Sequence, residues 1–411
     1  MNRLGYIIFI LSTLITANAQ AQDHYKKSSY TKELKSNMKA AAYAKVVSTV
    51  KDAIRKYPEQ AGTDPEFYHY SLLANQALAL EEAKKMYLHQ KADTLKYFDY
   101  VYAVYTNGLV CDSLSNIPDA KGKVNTSYRK SIVTHFVQNI EKLPAAAKFA
   151  VQKKEYTRAY NFADMFISLC SDSSAYKPNL KQVKAETEIL PLSAIAVLSA
   201  YAQNDYRKAL IHMPQALAES NRRQQILEVA CRCYEQLKDT VGLEKHLLDG
   251  VESYPSSKFF FFTLVKLYND QQRYDNALDV TNEMLQYDSR NRDFWYIRGK
   301  EEAYLNRHDD ALQSFTTATE IKNDDAESYS AIGNIYLERS HELYDHQKTL
   351  KGQGLQTVKD ELHSLYMKSK TAFENARKYD GQNTSLWLSG LKELYYKLNM
   401  GKELNAIELI K

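Results

Sequence analysis

The sequence predicts an all-α fold: a solenoid of stacked helix-turn-helix units, with one unit drawn out into an extended helical hairpin. Three observations carry this expectation. Apolar and small residues recur in a fixed register through the second half of the chain. Helix breakers are scarce, with 13 glycines and 8 prolines in 411 residues, while the helix-favouring Ala, Leu, Lys and Glu abound. The register fails at one place, around HQKTLKGQGLQTVKDE (His346 to Glu361), and then resumes.

The chain opens MNRLGYIIFILSTLITANAQAQD, which reads as a secretory signal. Arg3 supplies the positive end, Leu4 to Ala17 the apolar core, and Ala17-Asn18-Ala19 or Ala19-Gln20-Ala21 the small residues of a cleavage site. The apolar run falls short of the about 18–20 residues of a membrane span, and no other long apolar run follows. No cysteine stands at the cleavage site, which argues against a lipid anchor. The expectation is removal of residues 1–21 and export to a bacterial periplasm, with no transmembrane span in the mature form. Net charge is +4, too even for the basic patch or stripe that marks a nucleic-acid binder. Of the four cysteines, Cys231 and Cys233 lie two apart on an expected helix, so their side chains point to nearly opposite faces. A Cys111–Cys170 pair stays open, though buried thiols explain all four more simply.

Residues 22–189 predict an irregular helical region. Tyr43, Val46, Val50, Ala53 and Pro58 follow the spacing of a second repeat helix. Asp64-Pro65-Glu66 is a strong helix start: an N-cap, a proline in the first turn and an acid facing the positive helix end. A long helix to about Gln90 and another through Tyr105 should follow, with Cys111 to Asn125 as a loop. Ser171 to Ile189 breaks the register and reads as a hinge.

Residues 190–411 hold the regular array. In Arg292 to Asp325, Trp295, Gly299, Ala311, Phe315 and Ala318 stand at unit positions 4, 8, 20, 24 and 27. Lys258 to Asn291 places Phe261, Leu264, Tyr268 and Ala277 at positions 4, 7, 11 and 20. Gln224 to Ser257 and Leu190 to Arg223 keep the same frame, so four consecutive units hold register without a gap. This pattern resembles the tetratricopeptide repeat (TPR), whose period is 34 residues. The resemblance implies antiparallel helix pairs that approach at small residues, fill the gaps with large ones, and stack into a right-handed superhelix.

The next unit starts normally, with Tyr329, Ile332, Gly333 and Tyr336 in place, but Phe373 and Ala376 fit positions 24 and 27 only if 24 residues have been inserted. Leu355, Val358, Leu362, Leu365, Ser369, Ala372 and Ala376 recur at spacings of 3 and 4, a narrow coiled-coil seam. Tyr336, Leu343 and Leu350 lie at seven-residue steps and can face it. Both helices of this unit are therefore expected to extend, giving a hairpin around residues 340–368 that projects as an appendage, with Gly352 and Gly354 making its turn. Register resumes at Thr384, and GKELNAIELIK is expected to close the array.

No catalytic constellation emerges. His341 and His346 are five residues apart, about 140° around a helix, and cannot chelate zinc as an i, i+4 pair does. Gly352-Gln353-Gly354 lacks the lysine and hydroxyl of a phosphate loop and follows no strand. The reading is a non-enzymatic scaffold without metal or cofactor. The resemblance implies a ligand in the concave groove of first helices, including positions 5 and 9. Position 9 reads Arg232, Lys266, Lys300, Asn334 and Lys392, and position 5 offers Phe262 and Tyr296. A basic row beside two aromatics suits a protein or peptide partner with an acidic segment. The lysine that a carboxylate-clamp member carries at position 5 is missing, so clamp function is not carried over. Two other readings stand beside this one: a structural protein that forms homo-oligomers through the hairpin, and a helical-repeat enzyme or accessory in envelope polysaccharide work.

Overall fold

Several helices begin at a side-chain cap, and several end at a left-handed backbone twist. In the computed structural model, which describes residues 25–119, 121–171, 173–180, 185–347, 351 and 353–410, all regular elements among the described residues are helical. The signal segment 1–21 lies outside the described residues. The Asp64 side chain caps its helix by accepting from the Glu66 N–H with Pro65 behind it, and Asp93, Asp205, Asp239 and Asn291 cap in the same way. At the opposite ends, Asn204, Lys238, Gln272 and Asn306 adopt left-handed φ of 56–58° at intervals of 34 residues. Each of these lets the chain turn sharply into the next helix. Arg273 N–H, for example, donates back to Tyr268 O at 2.8 Å, and Arg307 N–H to Glu302 O at 2.8 Å. The period read from side chains is thus repeated in the backbone.

The helices fall into two compact units that divide between Leu237 and Lys238. The first holds α1 (Lys27–Lys39), α2 (Tyr43–Lys56), α3 (Pro65–Tyr87), α4 (Thr94–Ser115), α5 (Arg129–Asn139), α6 (Lys142–Gln152), α7 (Tyr156–Cys170), α8 (Ala185–Ala202), α9 (Tyr206–Ile211), α10 (Met213–Ala216) and α11 (Arg223–Gln236). The sequence puts a domain boundary at residue 190, which falls within α8. That helix packs on α7 through Leu192, Ala196, Val197 and Ala200, so it continues the first unit's core. Two further differences from expectation have clear causes. Cys111 to Ser115 is helical, not loop, because Asp112 is fixed from two sides: it pairs with Arg129 and accepts from Tyr176 Oη at 2.8 Å. The second helix of the unit from Leu190 is broken into α9 and α10 at His212, where Pro214 cannot supply an N–H to continue α9. No disulfide joins the described cysteines, and Cys111, Cys170, Cys231 and Cys233 are all buried.

The second unit holds α12 (Thr240–Ser253), α13 (Lys258–Asp270), α14 (Tyr274–Tyr287), α15 (Arg292–Tyr304), α16 (His308–Ile321), α17 (Ala326–Gln347), α18 (Gln353–Tyr379), α19 (Leu388–Lys397) and α20 (Gly401–Glu408). Here helices pair in antiparallel fashion where a small residue meets a large one. A Cβ placed on Gly299 would lie 2.8 Å from the Phe315 ring, and one on Gly333 would lie 2.9 Å from Phe373. These are positions 8 and 24 of successive units, the same contact made twice. The second of these contacts spans the insertion.

The hairpin forms as expected, with 22 residues in α17 and 27 in α18, against 13 in α15 and 14 in α16. Gly352 lies outside the described residues, and Gly354 sits in the first turn of α18 without positive φ. Nor is the hairpin a detached appendage. Leu343, Val358, Leu362 and Tyr366 belong to one hydrophobic cluster with Trp387, Leu391 and Leu394, so its lower half is part of the last pair's core.

Candidate functional site

First helices of successive pairs in the second unit run side by side, joined by polar links. Lys258 Nζ reaches Asp293 Oδ2 at 3.4 Å, and Asn269 Nδ2 donates to Glu301 Oε1 at 2.9 Å, which ties α13 to α15 near both ends. Arg292 ties α15 to α17 through Asp325 and through Glu327 at 2.8 Å. Ser330 Oγ donates to Leu386 O at 2.6 Å, and His341 Nε2 meets Glu393 at 2.6 Å, which holds α19 against α17. His341 is thus committed to a carboxylate of the next pair.

Against this frame the residues of the expected groove separate into distinct roles. Lys266 is exposed on α13, one turn after the half-buried Phe262, whose ring packs edge-on against Phe261 at 5.2 Å. Lys300 is half-buried, its ammonium 6.0 Å from the Tyr304 ring centroid. Lys266 and Lys300 hold the same unit position on α13 and α15. Asn334 is exposed on α17. Tyr296 is held from two sides, by the Arg292 guanidinium at 4.7 Å and the Phe315 ring at 5.7 Å, so it forms wall more than gripping surface. Lys392 is occupied: its ammonium donates to Glu408 O and Ile410 O at 3.2 Å each, satisfying carbonyls at the end of α20. Arg232 is exposed on α11 in the first unit.

Two features escape the sequence reading. One is a lysine-rich face on α1. Lys27, Thr31, Lys35 and Lys39 follow at steps of four with Ser28, Lys32 and Ser36 beside them, and with Glu66 they line an open hollow of about 920 Å³. Lys27 is tied to Asp64 at 2.5 Å and Glu66 at 3.2 Å. The i, i+4 spacing of lysines was visible, but the region's irregular register gave no position to assign it to. The other is the polar pair inside the α13–α15 seam. Glu301 is fully buried, and burial lifts its carboxyl above the ordinary range, against the Asn269 hydrogen bond and the Lys300 charge.

Chemistry elsewhere is sparse. The His212–Asp164 contact at 2.8 Å has its imidazole sealed beneath Tyr160. Among the described residues no three or more His, Cys, Asp or Glu side chains converge as metal ligands, and no helix is long and apolar enough to cross a membrane.

No family model matches the chain, and no curated protein matches it significantly. Among solved structures, it is similar to the C-terminal part of a TPR repeat-containing protein from Cytophaga hutchinsonii, at 11% identity and TM-score 0.42 over 65% of this chain and 96% of that one. It is also similar to MamA, at 14% identity and TM-score 0.32 over 45% of this chain and 95% of that one. A third likeness is to YrrB, described as a TPR protein with an unusual peptide-binding site, at 18% identity and TM-score 0.32 over 48% and 94%. The helix pairs of the second unit, with their glycine–phenylalanine contacts and 34-residue backbone period, form the all-α repeat array that the tetratricopeptide resemblance implies.

Proposed function

We propose that the chain is a non-catalytic scaffold of the bacterial cell envelope that binds a protein or peptide segment of acidic character along its first helices. One observation carries the reading. In the α13–α15 seam most charged side chains are committed to ion pairs, whereas Lys266 stands exposed beside Phe262, with Lys300 on the neighbouring helix. A cation row with an aromatic next to it can grip an acidic segment that also carries an apolar side chain. Phe262, Lys266, Lys300 and Asn334 form the core of this surface. Tyr296 supports it from beneath. Export rests on the N-terminal signal and on nothing in the fold.

The test is charge reversal, Lys266→Glu with Lys300→Glu, measured by fluorescence anisotropy against a panel of labelled acidic peptides with and without an aromatic or leucine. The reading expects binding that weakens as salt rises, because exposed charges are screened over about 8–10 Å near physiological ionic strength. It also expects the double variant to lose binding with an unchanged melting curve. Equal binding by wild type and variant at low salt removes the groove from consideration. Exposed Tyr344 and Met367 on the hairpin favour self-association as a second reading, which sedimentation of the Tyr344→Ser, Met367→Ser variant checks.

A further inference from the structure

Among the described residues of the second unit, two buried side-chain oxygens lack any donor. Glu301 Oε2 and Asn269 Oδ1 are both buried and unpartnered, while the other arms of the same two groups, Glu301 Oε1 and Asn269 Nδ2, are hydrogen-bonded at 2.9 Å. A carboxylate and an amide joined on one side and left with two unmet acceptors form an arrangement that an ionised pair cannot satisfy. A buried oxygen left without a donor pays its full desolvation cost. One proton resolves both deficits. A carboxylic acid presents an O–H donor and a C=O acceptor side by side, and a primary amide presents the complementary N–H and C=O.

We propose that Glu301 is held as the neutral acid and donates its Oε2 hydrogen to Asn269 Oδ1, closing a cyclic acid–amide pair that acts as a proton-dependent joint between two successive repeats. The surroundings agree. Glu301 has no solvent exposure. Its neighbour Glu302 takes the nearby donors instead, Arg298 Nε at 2.9 Å and Ser314 Oγ at 2.6 Å. The charges on the packed helices are turned elsewhere. On α13, Lys266 and Asp270 are exposed. At the start of α14, Arg273 pairs with Glu244 and Asp275 with Arg307. On α16, Asp309 pairs with Arg339 of α17. Lys300, next in the chain, is the cation that acts on Glu301, and burial outweighs it. This joint is independent of the peptide-binding reading, since it concerns the seam beneath Lys266 and Lys300 and needs no ligand.

The sign follows from linkage. The acid is held above its ordinary range in the fold, so its contribution to stability is complete below the ordinary carboxylate value and is lost as pH rises through the folded one. Glu301→Gln keeps the shape and both hydrogen bonds, as an amide–amide pair, but cannot ionise. The experiment follows denaturant unfolding of the full chain by tryptophan fluorescence at several pH values. Both tryptophans, Trp295 and Trp387, lie in the second unit and report on it. The ratio of variant to wild-type folding constants should climb by about tenfold per pH unit between the two values and flatten above the folded one. A ratio that stays constant from about pH 4 to pH 8 overturns the proposal. Wild type supplies a second measurement that does not depend on the variant folding: an infrared carbonyl band of one protonated carboxyl, present in the folded chain at neutral pH and gone after unfolding. Absence of that band also overturns it.

Discussion

Replacing Gly299 by alanine sets two effects of known size against each other. Alanine in a helix interior is favoured over glycine by about 1 kcal/mol, because the backbone loses less freedom. In α15, however, the added methyl would stand 2.8 Å from Phe315 Cδ1 and Cε1 and 3.0 Å from Cγ. Ordinary carbon contacts begin near 3.5 Å, so the ring must retreat by about 0.5 Å or more. It has little room: Phe315 is 2% exposed and packs with Ala311, Ile335 and the Tyr296 ring. Overpacking of this kind costs about 1–3 kcal/mol. Sterics should win by about 1 kcal/mol, lowering the midpoint of a unit this size by about 2–4 °C. Gly354→Ala is the control, since its methyl would meet no atom within 4 Å, and there propensity alone acts and stability should rise. Tryptophan fluorescence during thermal melts reads both. If Gly299→Ala stabilises as much as Gly354→Ala, the helices are not packed at the distance described, and the glycine at position 8 has another reason. Phe315→Leu should recover part of the loss in the Gly299→Ala background.

The remaining predictions rest on other parts of the frame. Gln272→Gly removes a side chain from left-handed backbone at φ 57° and should raise denaturant stability by about 1 kcal/mol; a loss would mean that the turn draws on the glutamine side chain. Arg292→Ala leaves Asp325, 1% exposed, without its cation, and should cost about 3 kcal/mol, part of which Asp325→Asn restores; a cost near zero in chemical denaturation would show that Ser328, whose hydroxyl also donates to Asp325, satisfies the carboxylate alone. Burial pushes the Cys111 thiol up to about 12 and those of Cys170 and Cys233 to about 11. Stability from these thiols is complete below their ordinary value of 9.0 and is lost as pH rises through 11 to 12. A colorimetric thiol reagent near pH 8 should therefore label folded protein slowly and denatured protein at once. Fast labelling of folded chains would place the thiols at the surface.

Much of the second unit was legible because its determinants are local and repeated. A small residue at position 8 and a phenylalanine at position 24 are visible as letters, and the same contact appears at Gly299–Phe315 and Gly333–Phe373. What escaped reading depends on partners far along the chain. Asp112 looks like a loop residue until Arg129 and Tyr176 are folded onto it. Lys392 looks like a groove cation, but its role is set by carbonyls 16 and 18 residues later. The Asn269–Glu301 pair reads as two ordinary polar residues on two helices; only their juxtaposition leaves Glu301 and the Asn269 carbonyl oxygen buried together. Pro214 was legible as a breaker, yet the strength of the surrounding register hid it.

The left-handed turns at Asn204, Lys238, Gln272 and Asn306 mark where each first helix stops. One period beyond Asn306 stands Ser340, which is helical and buried, its hydroxyl turned back to Leu337 O at 2.6 Å. The hairpin therefore begins with a punctuation mark left out. Below that point the pair is built like its neighbours, with Gly333 seated on Phe373. Lengthening a repeat in this chain required no new stacking chemistry. It took one missed stop, a seam to keep the two arms together, and a return in register, so the base of the unit and the length of its arms are free to vary separately.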